Sequence, residues 1–360
     1  MTKHQRKFWV VILAGGEGRR LDSLTTNAAG LSTPKQYCSL NGGQSLLQLA
    51  LQRALGLVPR ARIVPVVTAA HRRWWEPELF ALRRSTVVVQ PSNRGTGLGI
   101  LLPLMVIAKS DPDAAVICLP SDHYVENEDV LAESLREVTT SDAFASNKLT
   151  LLGMSPNAPD SGFGYLTSSP DSGIGMRPVH SFVEKPDRAA AAELIRAGSV
   201  WNSGIFAGRI SEILDLYPRH ISGLMSHLKE IVDYWPNCRI PSADLVSLYD
   251  RYATLNFSRE VLQKHPRRLQ FLTVPPCGWS DVGTPARLAA ALWSQRSRTR
   301  QGAATQLPAH AFSLGTAFDR AASSTEFAPE APMNRKDSQQ GQRNAPFISG
   351  AAWAAGCDEK

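Results

Sequence analysis

The sequence predicts an α/β fold built on a mostly parallel sheet with helices on both faces. Three observations predict it. Near-continuous apolar runs rich in β-branched residues recur at 8–14, 63–68, 86–90 and 114–119, as strands buried on both sides require. Segments with apolar residues at helical spacing, 45–57, 72–84 and 96–110, lie between them. The first run ends directly in Gly15-Gly16-Glu17-Gly18, and sheets of this kind bind ligands at the carboxyl ends of their strands.

In chain order, the strand 8–14 feeds the glycine turn, and Arg20, Leu21 and Pro34-Lys35-Gln36 follow. Pro77 and Pro103 weaken the helices 72–84 and 96–110 locally. The strand 114–119 ends in Pro120-Ser121-Asp122-His123, so it opens on the same sheet edge as the glycine turn. The second half is mixed, with strands at 149–153, 164–167, 179–183, 203–207 and 269–274 and helices at 188–197, 210–216, 221–234 and 284–293. After Ser297 the chain turns to Ala, Ser, Gln, Gly and Pro with no apolar period. The expected organisation is one folded domain over 1–296 and a disordered, low-complexity tail over 297–360.

Composition narrows the class. Hydrophobic residues at 43% and charged residues at 20% suit a globular chain of 360 residues, long enough for one large core or two modest ones. The net charge is +7, but the basic residues are dispersed, and Arg83-Arg84 and Arg267-Arg268 read as solvated faces. Nucleic-acid binders carry clustered basic stripes, so the balance points to small phosphorylated anions and not to nucleic acid. Cys38, Cys118, Cys238, Cys277 and Cys357 are odd in number and show no Cys-x-x-Cys spacing. That argues against a disulfide framework or a zinc site and predicts a reducing compartment. The apolar run after the basic residues 1–7 is too short for a signal segment or a membrane span, so a cytoplasmic protein with no membrane partner is expected.

Several segments carry candidate chemistry. Glycines let a backbone approach a ligand closely, and successive free N–H groups make an anion cradle, which Arg20 and Lys35 would complete as phosphate-binding cations. The turn is neither a P-loop nor a dinucleotide fingerprint, because no Gly-Lys-Ser/Thr closes it and Leu21 stands at the third glycine; an ordinary tight turn is the alternative. Gln90, Asn93 and Arg94 stand at a strand end where a base could be read, and Thr96 could cap the next helix. Asp122 is either a turn residue or a Mg²⁺ ligand, with Asp281 in Gly278-Trp279-Ser280-Asp281-Val282-Gly283 as second carboxylate; His123 reads as a satisfied loop histidine. Glu184-Lys185-Pro186 and Trp201-Asn202-Ser203-Gly204 suit a sugar phosphate and its hydroxyls, or else a solvated strand end and a strand start with a bulge.

Together these pieces resemble the sugar-1-phosphate nucleotidyltransferases and, within them, the mannose-1-phosphate guanylyltransferases. The resemblance runs in family order through Leu13 to Leu21, Pro34 to Gln36, Gln90 to Thr96, Pro120 to His123, Gly162-Phe163-Gly164-Tyr165, Phe182 to Pro186, Trp201 to Gly204 and Trp279 to Gly283. It implies a Rossmann-like, mixed sheet of the nucleotide-diphospho-sugar transferase type. It implies a catalytic domain that makes GDP-mannose and pyrophosphate from GTP and mannose 1-phosphate with Mg²⁺ or another divalent cation. By the same resemblance Ala14, Gly15, Gly16, Gly18 and Arg20 would hold the nucleotide phosphates, and Lys35 would sit near the α-phosphate. Gln90, Asn93, Gly95 and Thr96 would face guanine, Asp122 and Asp281 would hold the metal, and Gly164, Glu184, Lys185 and Asn202 the sugar phosphate. Gly97 and Gly99 stand where the family often has alanine, which loosens that helix start, and Asn256 stands where many relatives carry Asp. The tail resembles no second catalytic domain, so a single activity is expected; a homo-oligomer stays open.

Overall fold

The computed structural model describes residues 8–26, 30–82, 86–140, 146–169, 173, 175–235 and 240–302. The strands are β1 (Phe8–Ala14), β2 (Ile63–Thr68), β3 (Val88–Gln90), β4 (Ala115–Pro120), β5 (Leu149–Met154), β6 (Gly164–Thr167), β7 (Met176–Pro178), β8 (Ser181–Glu184), β9 (Val200–Arg209) and β10 (Leu269–Val274). The helices are α1 (Asp22–Thr25), α2 (Leu46–Leu55), α3 (Arg72–Glu78), α4 (Gly95–Ala108), α5 (Glu128–Thr140), α6 (Arg188–Arg196), α7 (Ile210–Asp215), α8 (Ser222–Tyr234), α9 (Ala243–Arg251) and α10 (Pro285–Gly302).

The strands form one mixed sheet in the order β3-β2-β1-β4-β9-β5-β10-β7, with β6 and β8 branching from β9. Pairs among β1 to β4 are parallel, as is β5 with β10, whereas β9 runs antiparallel to both β4 and β5. Side chains alternate across the sheet. Val11, Val116 and Cys118 enter a core with α4, α8 and α9, while Val10, Ile12, Ile117 and Leu119 enter one with α2, α3 and α5. This is the two-sided α/β architecture expected from the sequence.

The order reverses beside β1, with β2 on one flank and β4 on the other. A crevice therefore opens at their carboxyl ends, where the glycine turn and Ser121-Asp122-His123 emerge. Ser121 ties the two ends together: its N–H and its hydroxyl both donate to Leu13 O, at 3.1 and 2.8 Å.

Several boundaries differ from the sequence reading. The helix expected over 72–84 ends at Glu78, and α4 begins at Gly95 and keeps Pro103 inside it. Burial of Leu98, Ile100, Leu101, Leu102 and Leu104 against the sheet outweighs the missing N–H. Strand β9 starts at Val200, ahead of the expected 203, and two short strands, β7 and β8, replace the single one expected over 179–183. Helices α5 and α9 are additions to the sequence reading, although Leu131, Leu135 and Val138, and Leu245 and Leu248, are buried at helical spacing. Helix α10 runs to Gly302, past the expected domain end at 296, and residues 303–360 of the expected tail lie outside the described residues. Cys38, Cys118 and Cys277 are free thiols, while Cys238 and Cys357 lie outside the described residues. Among the described residues no helix is long and apolar enough to cross a membrane.

Candidate active site

The glycine turn is shaped by its neighbours as much as by its own flexibility. Gly18 adopts φ +70°, and a Cβ there would lie 3.0 Å from Lys35 N, so the turn and the Pro34-Lys35 segment lie back to back. A Cβ on Gly15 would collide with the Gln90 amide. Gly16 faces open space. Gln36 holds the turn from below, its Nε2 donating to Ala14 O at 3.0 Å and Gly16 O at 2.8 Å, and Thr68 Oγ1 donates to Gly15 O at 3.0 Å. With their carbonyls engaged, the peptide units of the turn keep their N–H groups for a ligand.

Lys35 is buried, and its ammonium joins two distant segments. Nζ lies 2.8 Å from Asp122 Oδ2 at the end of β4 and donates to Asp281 O at 2.6 Å. Burial pushes the Asp122 carboxyl up, but the Lys35 ammonium, helped by other local contacts, outweighs it and holds the group below the ordinary carboxylate range. His123 is also buried. Burial pushes its imidazole down to about 4, against the upward pull of Asp122. It is therefore neutral near pH 7, and its Nδ1 accepts from Trp279 Nε1 at 3.2 Å. These contacts match the satisfied loop histidine expected from the sequence. Arg53 reinforces the segment from α2, with paired 2.7 Å bonds to Glu128 and a 3.2 Å bond to His123 O.

Asp281 sits in a strained turn. Its Oδ1 accepts from Gly283 N at 3.1 Å, and a Cβ on Gly283 would lie 2.5 Å from its Oδ2. Val282 adopts φ +38°, which is costly for a β-branched residue. It is held there by full burial among Leu21, Leu46, Tyr124 and Leu288. Among the described residues no group of three or more His, Cys, Asp or Glu could hold a metal; the two carboxylates expected as metal donors belong to residues that both meet Lys35, Asp122 through its carboxylate and Asp281 through its backbone carbonyl.

One cavity of about 360 Å³ joins most of the expected nucleotide residues. Gly15, Gly16, Gln90, Asn93, Gly95, Thr96, Asp122 and Asn202 line it, together with His123, Phe257, Ser258 and Leu262. The first turn of α4 faces it, so a helix N-terminus adds partial positive charge. Two expected roles are corrected. Thr96 does not cap α4: Arg94 is the cap residue, no side chain bonds there, and the Thr96 hydroxyl accepts from Phe257 N at 3.0 Å. Arg94 turns away from the cavity to Asp250, 3.3 Å distant. Asn256 caps the π-helical turn Phe257–Val261, accepting from Arg259 N at 2.9 Å.

Ala14, Gly18, Lys35 and Asp281 stand just outside the lining of this cavity, and so do Arg20, Gly164, Glu184 and Lys185. Arg20 is exposed and pairs with no acid among the described residues. Gly164, Glu184 and Lys185 form a neighbouring cluster on β6 and β8. A Cβ on Gly164 would lie 2.7 Å from Glu184 Oε2, so the glycine leaves room for that carboxylate. Burial pushes the Glu184 carboxyl up, partly offset by Lys185 and Arg259. Lys185 takes a left-handed φ of +51°, its N–H donating to Phe163 O at 3.1 Å and its ammonium half-exposed. Sequence reasoning misses Gln36 as a site residue, and with it the wall Phe257, Ser258 and Leu262. Gln36 lies inside a motif already noted, whereas the wall has no local signal.

The glycine turn, the buried lysine between two aspartates and the joined cavity stand on a sheet whose family can be compared directly. The model of the family described as nucleotidyl transferase matches residues 9–297. This chain belongs to the nucleotidyl transferase family. Proteins with similar sequences include the alginate biosynthesis protein AlgA of Pseudomonas syringae pv. tomato, 30% identical over 82% of this chain and 60% of that protein. Another is the mannose-1-phosphate guanylyltransferase of Escherichia coli, 28% identical over 83% of this chain and 62% of that protein. The chain thus spans about three fifths of the length of these curated relatives. A solved structure from Thermus thermophilus, described as a mannose-1-phosphate geranyltransferase, superposes with a TM-score of 0.65 at 28% identity, covering 77% of this chain and 76% of that one.

Proposed function

We propose that this chain is a mannose-1-phosphate guanylyltransferase, forming GDP-mannose and pyrophosphate from GTP and α-D-mannose 1-phosphate. The observation that carries the proposal is Lys35, buried between Asp122 and Asp281 beside a glycine turn whose carbonyls are already bonded. A buried, carboxylate-held ammonium at the mouth of an anion cradle is a device for neutralising phosphate charge. The similarity to the Escherichia coli mannose-1-phosphate guanylyltransferase supports the choice of substrates.

In this reading a phosphate oxygen of the sugar phosphate attacks the α-phosphorus of GTP, and the bond from that phosphorus to the bridging oxygen of pyrophosphate breaks. The nucleophile is already an anion, so no general base is needed, and catalysis is positioning plus charge neutralisation. The glycine-turn amides and Lys35 hold the α-phosphate side, with Arg20 free to fold onto the outer phosphates. Gln90, Asn93, Gly95 and Thr96 face the base. Asn202, Glu184, Lys185 and the space left by Gly164 receive the sugar phosphate. Asp122 and Asp281 fit a hard divalent cation such as Mg²⁺, which takes one or two carboxylates and fills its shell with phosphate oxygens and water. When bound it supplies charge stabilisation to the pyrophosphate. The catalytic domain in this reading is the folded unit that ends with α10, and the protein is cytoplasmic, which cell fractionation tests.

The test of the activity is pyrophosphate release by the purified chain with Mg²⁺, across GTP, ATP, UTP, CTP and dTTP, each with mannose 1-phosphate and glucose 1-phosphate. Release confined to GTP with mannose 1-phosphate is the expected outcome. Release with another pair overturns the substrate assignment, and no release from folded, nucleotide-sugar-binding protein overturns the activity.

A further inference from the structure

Arg287 has no role in the reading above, yet it occupies the seam between the two halves of the site. It stands in the first turn of α10, where a cation is opposed by the helix dipole. Its side chain is only 16% exposed. Nη1 donates to Asp160 Oδ2 at 2.7 Å, and Nε lies 2.9 Å from Asp281 Oδ1 without the alignment of a hydrogen bond. The guanidinium stacks over the Phe163 ring at 4.5 Å. Gly162 and Gly283 make room for it: a Cβ on either would lie 3.2 or 3.1 Å from its terminal nitrogens.

The groups it touches lead into both subsites. Asp281 O binds Lys35, while Phe163 O accepts from Lys185 N and the Phe163 ring packs on Trp201 at 4.4 Å, next to Asn202. Asp160 caps the same turn from the other side, accepting from Gly162 N at 2.7 Å and bonding the Tyr165 hydroxyl through its backbone. Two ion-pair sets, Lys35 with Asp122 and Arg287 with Asp160 and Asp281, are joined where Lys35 binds the Asp281 carbonyl, and the joined group holds two cations against three carboxylates. Such a group keeps one negative charge in excess for a bound cation. A cation at this helix N-terminus is opposed by the helix dipole, and what holds it there is the pair of carboxylates and the aromatic face that it spans.

We propose that Arg287 is a positioning residue that fixes the Asp281 carboxylate and the 160–163 turn relative to each other, so that the metal-binding side and the sugar-phosphate side of the cleft are set in one geometry. The proposal rests on the nucleotidyl-transfer reading for its kinetic consequences, and on direct metal binding for its structural core. Arginine is required because its fork and flat face engage Asp160, Asp281 and Phe163 at once, which a lysine ammonium cannot do.

The test compares the parent chain with Arg287→Ala, Arg287→Lys and Asp160→Asn. It reads Mn²⁺ affinity from the free-ion paramagnetic resonance signal, and steady-state kinetics of pyrophosphate release. Expected for Arg287→Ala are Mn²⁺ binding weakened about 10-fold, kcat lowered about 10- to 100-fold and KM for the sugar phosphate raised, with KM for the nucleotide changed less than about 2-fold. Arg287→Lys restores little of this, and Asp160→Asn raises the sugar-phosphate KM while leaving Mn²⁺ affinity nearer the parent's. If Arg287→Ala does not fold, Arg287→Lys carries the same comparison. Parent-like Mn²⁺ affinity and parent-like sugar-phosphate KM in a folded Arg287 variant overturn the proposal. A parent chain that releases no pyrophosphate overturns the functional reading instead, and the Mn²⁺ comparison still decides the position of Asp281.

Discussion

At the scale of single residues, Lys35 shows how little of a side chain's setting is visible in sequence. Pro34-Lys35-Gln36 after a glycine turn reads as a phosphate-binding lysine on a loop. The structure adds that the lysine is buried and shared between Asp122 and the backbone of Asp281. Removing it does two things. It takes a fixed cation from the place where charge develops, and it leaves Asp122 and the Asp281 carbonyl without their donor. Lys35→Ala is therefore expected to lower kcat by about 10²- to 10³-fold. It should also cost about 1–3 kcal/mol of stability, since partly buried acceptors lose their partner. Turnover and denaturant midpoints measured on the same preparation check both. A variant with parent stability and low turnover would place the ammonium on the substrate and not in the ion pair. Gln36, by contrast, is a residue whose neighbours in sequence give no hint of its two carbonyl partners 20 and 22 positions away.

At the scale of elements, the start of α4 divides into glycines that the fold needs and one that it does not. The segment after α9 crosses this helix start closely, with Gly97 N donating to Leu255 O at 2.8 Å and Leu255 N to Arg94 O at 3.0 Å. Gly95 sits at φ +83° and faces Leu255 O, and a Cβ on Gly97 would lie 2.5 Å from the Leu255 side chain. The looseness read from two helical glycines thus misses the part Gly97 plays, which is to give a contact surface. Gly99 has no such neighbour, since its Cβ would meet only the Gln90 amide at 3.7 Å. Gly99→Ala is expected to stabilise the protein by up to about 1 kcal/mol through helix propensity, and Gly97→Ala and Gly95→Ala to destabilise it. Thermal melts of the three variants check the order, and a Gly97→Ala chain as stable as the parent would refute the close crossing. The strands of the parallel half were legible because each is a continuous apolar run bounded by turn residues. Helix α5 is absent from the sequence reading, although its Leu131, Leu135 and Val138 stand at helical spacing and are buried. The wall Phe257, Ser258 and Leu262 was not legible, because its place depends on a π-helical turn and on bonds to Arg94, Thr96 and Gly97 from far along the chain.

At the scale of the whole molecule, the site is assembled by the return of the chain after β10 to the strand ends of the first half. The motifs could be read in order, but nothing in their spacing says that Trp279 would meet His123 across 156 positions. His123 lies at that junction: it bonds Trp279, its carbonyl takes Arg53 from α2, and its neighbour Asp122 takes Lys35. Its titration should therefore report on the stability of the entire fold. Burial lowers its pKa from an unfolded value of 6.5 to about 4. Between those values the unfolded chain binds a proton that the folded one refuses, so stability falls as pH falls from 6.5 to about 4, by up to about 3 kcal/mol. Asp122, whose carboxyl is held below its ordinary value of 3.8, begins to lose its contribution only at lower pH. His71 is also held down, chiefly by burial, and adds a slope of the same sign. His123→Gln keeps an acceptor for Trp279 and cannot titrate. Denaturant unfolding at a series of pH values should show this variant losing less stability than the parent on acidification across that window, the remaining slope being set by His71 and, in the opposite sense, by Glu78 and Glu184, whose carboxyls burial pushes up. Equal slopes in the two proteins would mean that His123 takes up its proton in the folded state, and that the junction opens before the molecule unfolds.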